Sequence, residues 1–270
     1  MYDVIIVGAG PAGLFSAYEL VNKTNLKVLL VDEGSFAKNR VCPMNSKNIP
    51  CANCKVCSIM SGYGGAGTFS DGKLNFIPKL GKSDLFKYMS NEDAYRIIDE
   101  TEEIFNYFGM DSDVFPSNFD EAKKIQKEVA KTGASLMLIK QKHLGSDNLP
   151  TYIQNITDYL SMKGCELLEN AKVTDIFSKS KEEHIITYLY KGKEVKVEAK
   201  KVIIAPGRTG AKWVQELADK YKIPYESQSI EIGVRVEVRR EILDDLTNII
   251  YDPTIFIKTD TYGDEIRTFC

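Results

Sequence analysis

The chain has 270 residues, 43% of them apolar, with 35 basic and 38 acidic side chains intermixed and a formal net charge of −3. That length suffices for one large or two modest domains with a real core, and no block of one charge sign invites nucleic acid or an anionic membrane. No stretch reaches the length of a membrane span, and the first predicted strand begins at residue 3, which leaves no room for a signal peptide. A cytoplasmic setting with reduced thiols is the expectation.

Asp3-Val4-Ile5-Ile6-Val7 is a short β-branched run of the kind that fills a parallel strand covered on both faces. It leads into Gly8-Ala9-Gly10-Pro11-Ala12-Gly13 and a predicted helix over Ala12–Asn22. The three glycines have separate tasks: Gly8 for the tight turn, Gly10 for close approach of a pyrophosphate, Gly13 for packing of helix on strand. Pro11 falls in the first helical turn, where its missing N–H costs nothing, and the helix start with Ala12 offers free N–H groups and a positive dipole end to an anion. A second strand, Lys27–Val31, ends in Asp32-Glu33, about 20 residues beyond the glycines, where an acid takes ribose hydroxyls. The acid argues against a ribose carrying a 2′-phosphate. Strand, turn, helix, strand and acid in this order predict a site for an ADP moiety.

Four of the six cysteines, Cys42, Cys51, Cys54 and Cys57, follow as C-x8-C-x2-C-x2-C. Four thiolates would suffice for a structural zinc, although the spacing is not that of a ferredoxin cluster, and a redox pair would need only two of them. Metal or iron–sulfur binding, thiol redox chemistry and plain reduced loop thiols are the competing readings. Gly62-Tyr63-Gly64-Gly65-Ala66-Gly67-Thr68-Phe69-Ser70-Asp71-Gly72-Lys73 then carries five glycines, which allow backbone to approach a flat or anionic group.

Residues 78–147 read as mostly helical. Helices are predicted over Glu92–Phe108 with Asn91 as cap, and from Ser117 or Asp120 to near Gly133. Another is predicted over Leu149–Lys163, capped by Ser146 or Asp147. Three strands, Lys172–Lys179, His184–Lys191 and Glu194–Ala199, form a predicted meander, with Lys191-Gly192-Lys193 as a hairpin turn. A buried strand, Lys200–Ile204, follows and ends in Ala205-Pro206-Gly207. A helix is predicted over Thr209–Tyr221, where Trp213 reads as packing, and Ile230–Glu237 reads as a strand.

The fingerprint, the meander and the Ala205-Pro206-Gly207 turn resemble the FAD domain of the glutathione-reductase-like flavoproteins, with Pro206 in place of their usual Thr. Closer is a resemblance to bacterial proteins described only as uncharacterised FAD-dependent dehydrogenases. It is carried by Arg40–Pro43, the cysteine run, Gly64–Leu74, His143–Asp147 and Ile232–Glu237, across nearly the whole chain. The resemblance implies an α/β Rossmann-like FAD/NAD(P)-binding fold with a parallel sheet and a β-meander. It also implies FAD held by Gly8, Gly10, Pro11, Ala12, Gly13, Asp32, Glu33, Gly65, Gly67, Thr68, Ser70, Ala205 and Gly207. Lys73 would steady charge on the flavin and His143 would donate a proton to it. The implied organisation is an FAD domain in two parts, 1–77 and 148–228, a helical insertion, 78–147, and the start of a β-rich substrate domain, 229–270. The segment that closes the FAD site in such proteins is expected beyond Cys270.

The expected function is an FAD-dependent dehydrogenase or reductase acting on a small substrate, with NAD(P)H or a donor protein as electron source. An FAD monooxygenase, a non-catalytic FAD-binding protein and an electron-transfer protein are the alternatives.

Overall fold

The computed structural model describes every residue of the chain except Asp111, Ser146, Gln228, Ser229, Phe269 and Cys270. The chain divides into two compact units, Met1–Gly72 with Gly145–Gln228, and Lys73–Leu144 with Ser229–Cys270.

The first unit is built on a six-stranded sheet. Its strand order is Ala171–Ser180, Glu183–Tyr190, Lys193–Ile204, Tyr2–Val7, Val28–Val31, Glu166–Leu168. The last four strands run parallel and the first three form an antiparallel meander. The α/β fold with a parallel-containing sheet is therefore as expected. One element unites its two halves. Lys193–Ile204 is a single strand, not the two read from the sequence, because no turn residue interrupts it at Ala199-Lys200. Its first part pairs with Glu183–Tyr190 and its second part lies beside Tyr2–Val7, with Ala199 facing His184 on one side and Tyr2 on the other.

Burial explains the central strands. Ile5, Ile6, Leu29 and Leu30 are almost wholly enclosed, so these runs are apolar on both faces rather than alternating. In the meander, Val173, Ile176, Ile186 and Tyr188 join a core with Ala199 and Leu217, the latter from the helix Ala211–Tyr221. The helix Pro11–Lys23 buries Gly13, Leu14 and Ala17. The helix Leu149–Met162 buries Ile153, Ile156 and Leu160 and is N-capped by Asn148, not by Asp147. The Ser146 cap lies outside the described residues.

The second unit holds the helices expected of residues 78–147 and adds short strands that were not expected. Two helices are present, Asn91–Tyr107 and Phe119–Lys131. Ser90 caps the first through its hydroxyl and Asn118 the second through its amide oxygen, each a residue or more from the caps expected. Strands accompany them. Lys73–Phe76, Lys140–His143 and Val114–Phe115 form one three-stranded antiparallel sheet. Ser135–Met137, Thr254–Lys258 and Glu265–Arg267 form another, so segments more than 110 residues apart in the chain share one sheet.

The predicted strand over Ile230–Glu237 does not form. The alternation of Ile230, Ile232, Val234 and Val236 has the right period, but all four are more than three-quarters exposed and no strand pairs with them among the described residues. A strand needs a neighbour for its N–H and C=O groups; periodicity alone does not supply one.

Candidate functional site

The parallel strands end together, and the hollow outside their carboxyl ends has a volume of 340 Å³. Such a position, at the ends of the strands of a parallel sheet, is where α/β folds bind ligands. Every lining residue belongs to the first unit. Three stretches of nearly bare main chain make its walls: Gly8, Gly10 and Pro11; Gly62, Gly65 and Gly67; Ala205, Pro206 and Gly207.

The glycines differ in what requires them. Gly8 adopts φ +98°, and a Cβ there would lie 2.2 Å from the Ala205 carbonyl oxygen. A Cβ on Gly13 would lie 1.8 Å from the Gly8 oxygen, so this residue sits behind the wall and permits the helix to close on the turn. Gly10 is different, since a Cβ there meets nothing nearer than the Gly65 Cα at 3.9 Å. Gly67 and Gly207 likewise face open space. Gly10 and Gly67 thus lack side chains where the protein itself leaves room for them, whereas at Gly207 a φ of +63° by itself favours glycine.

Main-chain hydrogen bonds hold the walls together. Gly8 N–H donates to the Val31 carbonyl at 2.8 Å, Ala205 N–H to that of Val7 at 2.7 Å, and Gly64 N–H to that of Ala9 at 2.8 Å. The helix Pro11–Lys23 begins at this point, with Gly10 as its N-cap and first-turn N–H groups that no intrahelical carbonyl satisfies.

Asp32 and Glu33 both line the hollow. The Asp32 carboxylate accepts from Ala9 N–H and from Gly34 N–H, each at 2.8 Å, one on each oxygen. Burial holds its pKa above the usual carboxylate value, and the two N–H donors oppose that shift. The acid therefore braces the glycine turn as well as lining the hollow. Glu33 accepts from the Ser61 hydroxyl at 2.9 Å and lies 3.3 Å from the Lys172 ammonium.

Other expected site residues lie elsewhere. Thr68 is buried; its hydroxyl accepts from Arg40 Nη1 at 2.9 Å and points back to the Gly65 carbonyl at 3.1 Å, so it shapes the loop instead of facing the hollow. The Ser70 hydroxyl donates to the Gly67 carbonyl at 2.8 Å and is outside the lining. Ala12 is also outside it, one position beyond Pro11. Lys73 and His143 belong to the second unit, where they face one another across paired strands. Lys73 pairs with Asp252, and His143 packs on Tyr251 with ring centroids 3.8 Å apart.

The cysteine run does not assemble. Cys51 and Cys54 are exposed, Cys42 and Cys57 half-buried, and all four are free. No three His, Cys, Asp or Glu side chains among the described residues are grouped to hold a metal ion. Between Asn48 and Ser58 the chain follows an irregular exposed path, and the Cys51 sulfur approaches the Asn53 amide oxygen rather than a second thiol.

The hollow also has lining residues that the spacing of motifs did not single out: Met60, Ser61, Lys172 and Thr209. Trp213, expected as packing, lines the hollow too, while its Nε1 donates to the Thr174 carbonyl at 3.1 Å.

Residues 2–220 match the pyridine nucleotide-disulphide oxidoreductase family. The chain belongs to that family. Among curated relatives, an uncharacterised protein of Clostridium beijerinckii is 24% identical over 243 residues, 89% of this chain and 37% of that one. An uncharacterised protein of Methanosarcina barkeri is 49% identical over 41 residues, 15% of this chain and 10% of that one. The chain thus spans less than half the length of the curated relatives it matches. Similar solved structures include glycine oxidase from Geobacillus kaustophilus, 18% identical with a TM-score of 0.47, covering 83% of this chain and 59% of that one. A flavoprotein/dehydrogenase from Cytophaga hutchinsonii is 16% identical with a TM-score of 0.39, covering 84% and 44%. No helix among the described residues is long and apolar enough to cross a membrane.

Proposed function

We propose that the chain binds FAD in this hollow and acts as an FAD-dependent oxidoreductase. The observation that carries the reading is the wall at Gly10 and Gly67, where main chain faces open space, with Gly10 at the start of a helix. Main-chain N–H groups there suit a diphosphate, with the helix dipole adding to the attraction. Asp32 and Glu33 suit the hydroxyls of the adenosine ribose, and their charge disfavours a 2′-phosphate. Bound FAD would supply redox chemistry that side chains lack. The protein's part is to hold the coenzyme, keep water from one side of it and fix its orientation.

NAD(P)H is the electron source we propose, bound transiently, with a donor protein as the other route. The substrate in this reading is a small molecule, and the setting is the cytoplasm with neither nucleic acid nor membrane as partner. The absorption spectrum of the purified protein, before and after incubation with FAD, tests the first step. Flavin bands that stay with the protein through gel filtration are expected, and their bleaching by anaerobic NADH or NADPH tests the second. Protein that stays colourless after incubation with FAD would overturn the reading.

A further inference from the structure

Arg40 is buried, with 5% of its surface exposed, yet its four hydrogen-bond partners are neutral. Its Nε donates to the Ser58 carbonyl and its Nη2 to the Ile59 carbonyl, both at 2.8 Å. Its Nη1 donates to the Tyr63 carbonyl at 2.8 Å and to the Thr68 hydroxyl at 2.9 Å. The guanidinium also lies over the Phe69 ring, 4.8 Å from its centroid. A planar fork with five donors can hold diverging carbonyls in this way; a lysine ammonium cannot.

The acceptors come from both ends of the loop that walls the hollow. Met60, Ser61, Gly62, Gly65 and Gly67 line the space, and Gly64 docks on Ala9 beside the first helix. Gly62 packs directly against the arginine, since a Cβ on it would lie 2.8 Å from Arg40 Cδ. One thickness of main chain therefore separates a buried cation from the ligand space. Burial lowers the pKa of the guanidinium to about 10, with the charge of Asp32 opposing the shift, so it stays protonated at neutral pH. A buried charge without a contacting carboxylate is costly, and an anion on the far side of the loop would offset that cost.

We propose that Arg40 is a positioning residue for the coenzyme: it fixes the Ser58–Thr68 loop and places a positive charge behind it that favours a diphosphate in the hollow. The inference rests on the reading of the hollow as a coenzyme site. The test compares ADP with adenosine, by calorimetry or by displacement of FAD, in the wild type and in R40K and R40M. R40M is expected to weaken ADP binding by about tenfold or more beyond whatever it costs adenosine through the loosened loop. R40K keeps the charge and is expected to hold the wild-type ratio of the two affinities within about threefold. Should R40M not fold, R40Q, which keeps a planar head without charge, is expected to show the same split. Equal losses for ADP and adenosine, unchanged affinities in R40M, or a ratio in R40K as low as in R40M would overturn the proposal. A wild-type protein that binds neither FAD nor ADP would instead sink the reading of the hollow itself.

Discussion

Gly10→Ala separates a ligand site from a packing requirement. Gly10 has φ −70° and ψ −175°, which alanine adopts without strain, and its added Cβ would meet only the Gly65 Cα at 3.9 Å. Alanine is a poorer N-cap than glycine, but it also lowers the entropy of the unfolded chain. The two effects oppose each other and should leave stability within about 1 kcal/mol of the wild type. The methyl group projects into the hollow, where a diphosphate would have to approach the main chain. Losing two charge-assisted hydrogen bonds to it would cost about 3 kcal/mol, or on the order of a hundredfold in affinity. Thermal unfolding of the ligand-free protein and flavin fluorescence quenching on titration measure the two quantities independently. A G10A protein that binds FAD like the wild type would refute the reasoning, and so would one that unfolds several degrees early without ligand.

Gly8→Ala should do the reverse: φ +98° and the 2.2 Å approach to Ala205 make it destabilising by at least about 2 kcal/mol, visible in a urea titration. Asp32→Asn leaves one oxygen for the two N–H donors of Ala9 and Gly34, so a loss of about 1–3 kcal/mol is expected in the same assay. Because burial raises the folded pKa of Asp32, its contribution to stability is fully present below 3.8 and is lost as pH rises through the folded value. Ribose binding needs the ionised form, so FAD affinity should fall on acidification from a pH above 3.8, and the pH dependence of the FAD Kd checks this sign. Lys73→Met removes an ammonium from the buried Asp252 carboxylate and should lower stability by about 1–3 kcal/mol in the urea titration. Alkylation mapped by mass spectrometry should reach the exposed Cys51 and Cys54 first. Cys165, buried and with its thiol pKa pushed up to about 12, should react only on unfolding.

Local chemistry determined the first strand–turn–helix–strand element. A β-branched run buried on both faces, a turn that only glycine can make at φ +98°, and an acid closing the next strand depend on contacts within a few dozen residues, and pattern alone was enough to read them. The meander was equally legible, because alternation and a Lys-Gly turn specify antiparallel neighbours.

Tertiary structure decided what lies far apart in the sequence. Ser135–Met137 pairs with Thr254–Phe256, which no local period foretells, while Ile230–Glu237 has the period of a strand but no partner. Thr68 and Ser70 carry the hydroxyls expected of a ligand contact, yet the fold turns both toward main chain. Arg40 looks like any charged loop residue until Ser58, Ile59, Tyr63 and Thr68 close around it. Motifs record which groups a site needs, but whether a side chain faces the ligand, the core or another loop is set by packing between segments distant in the chain.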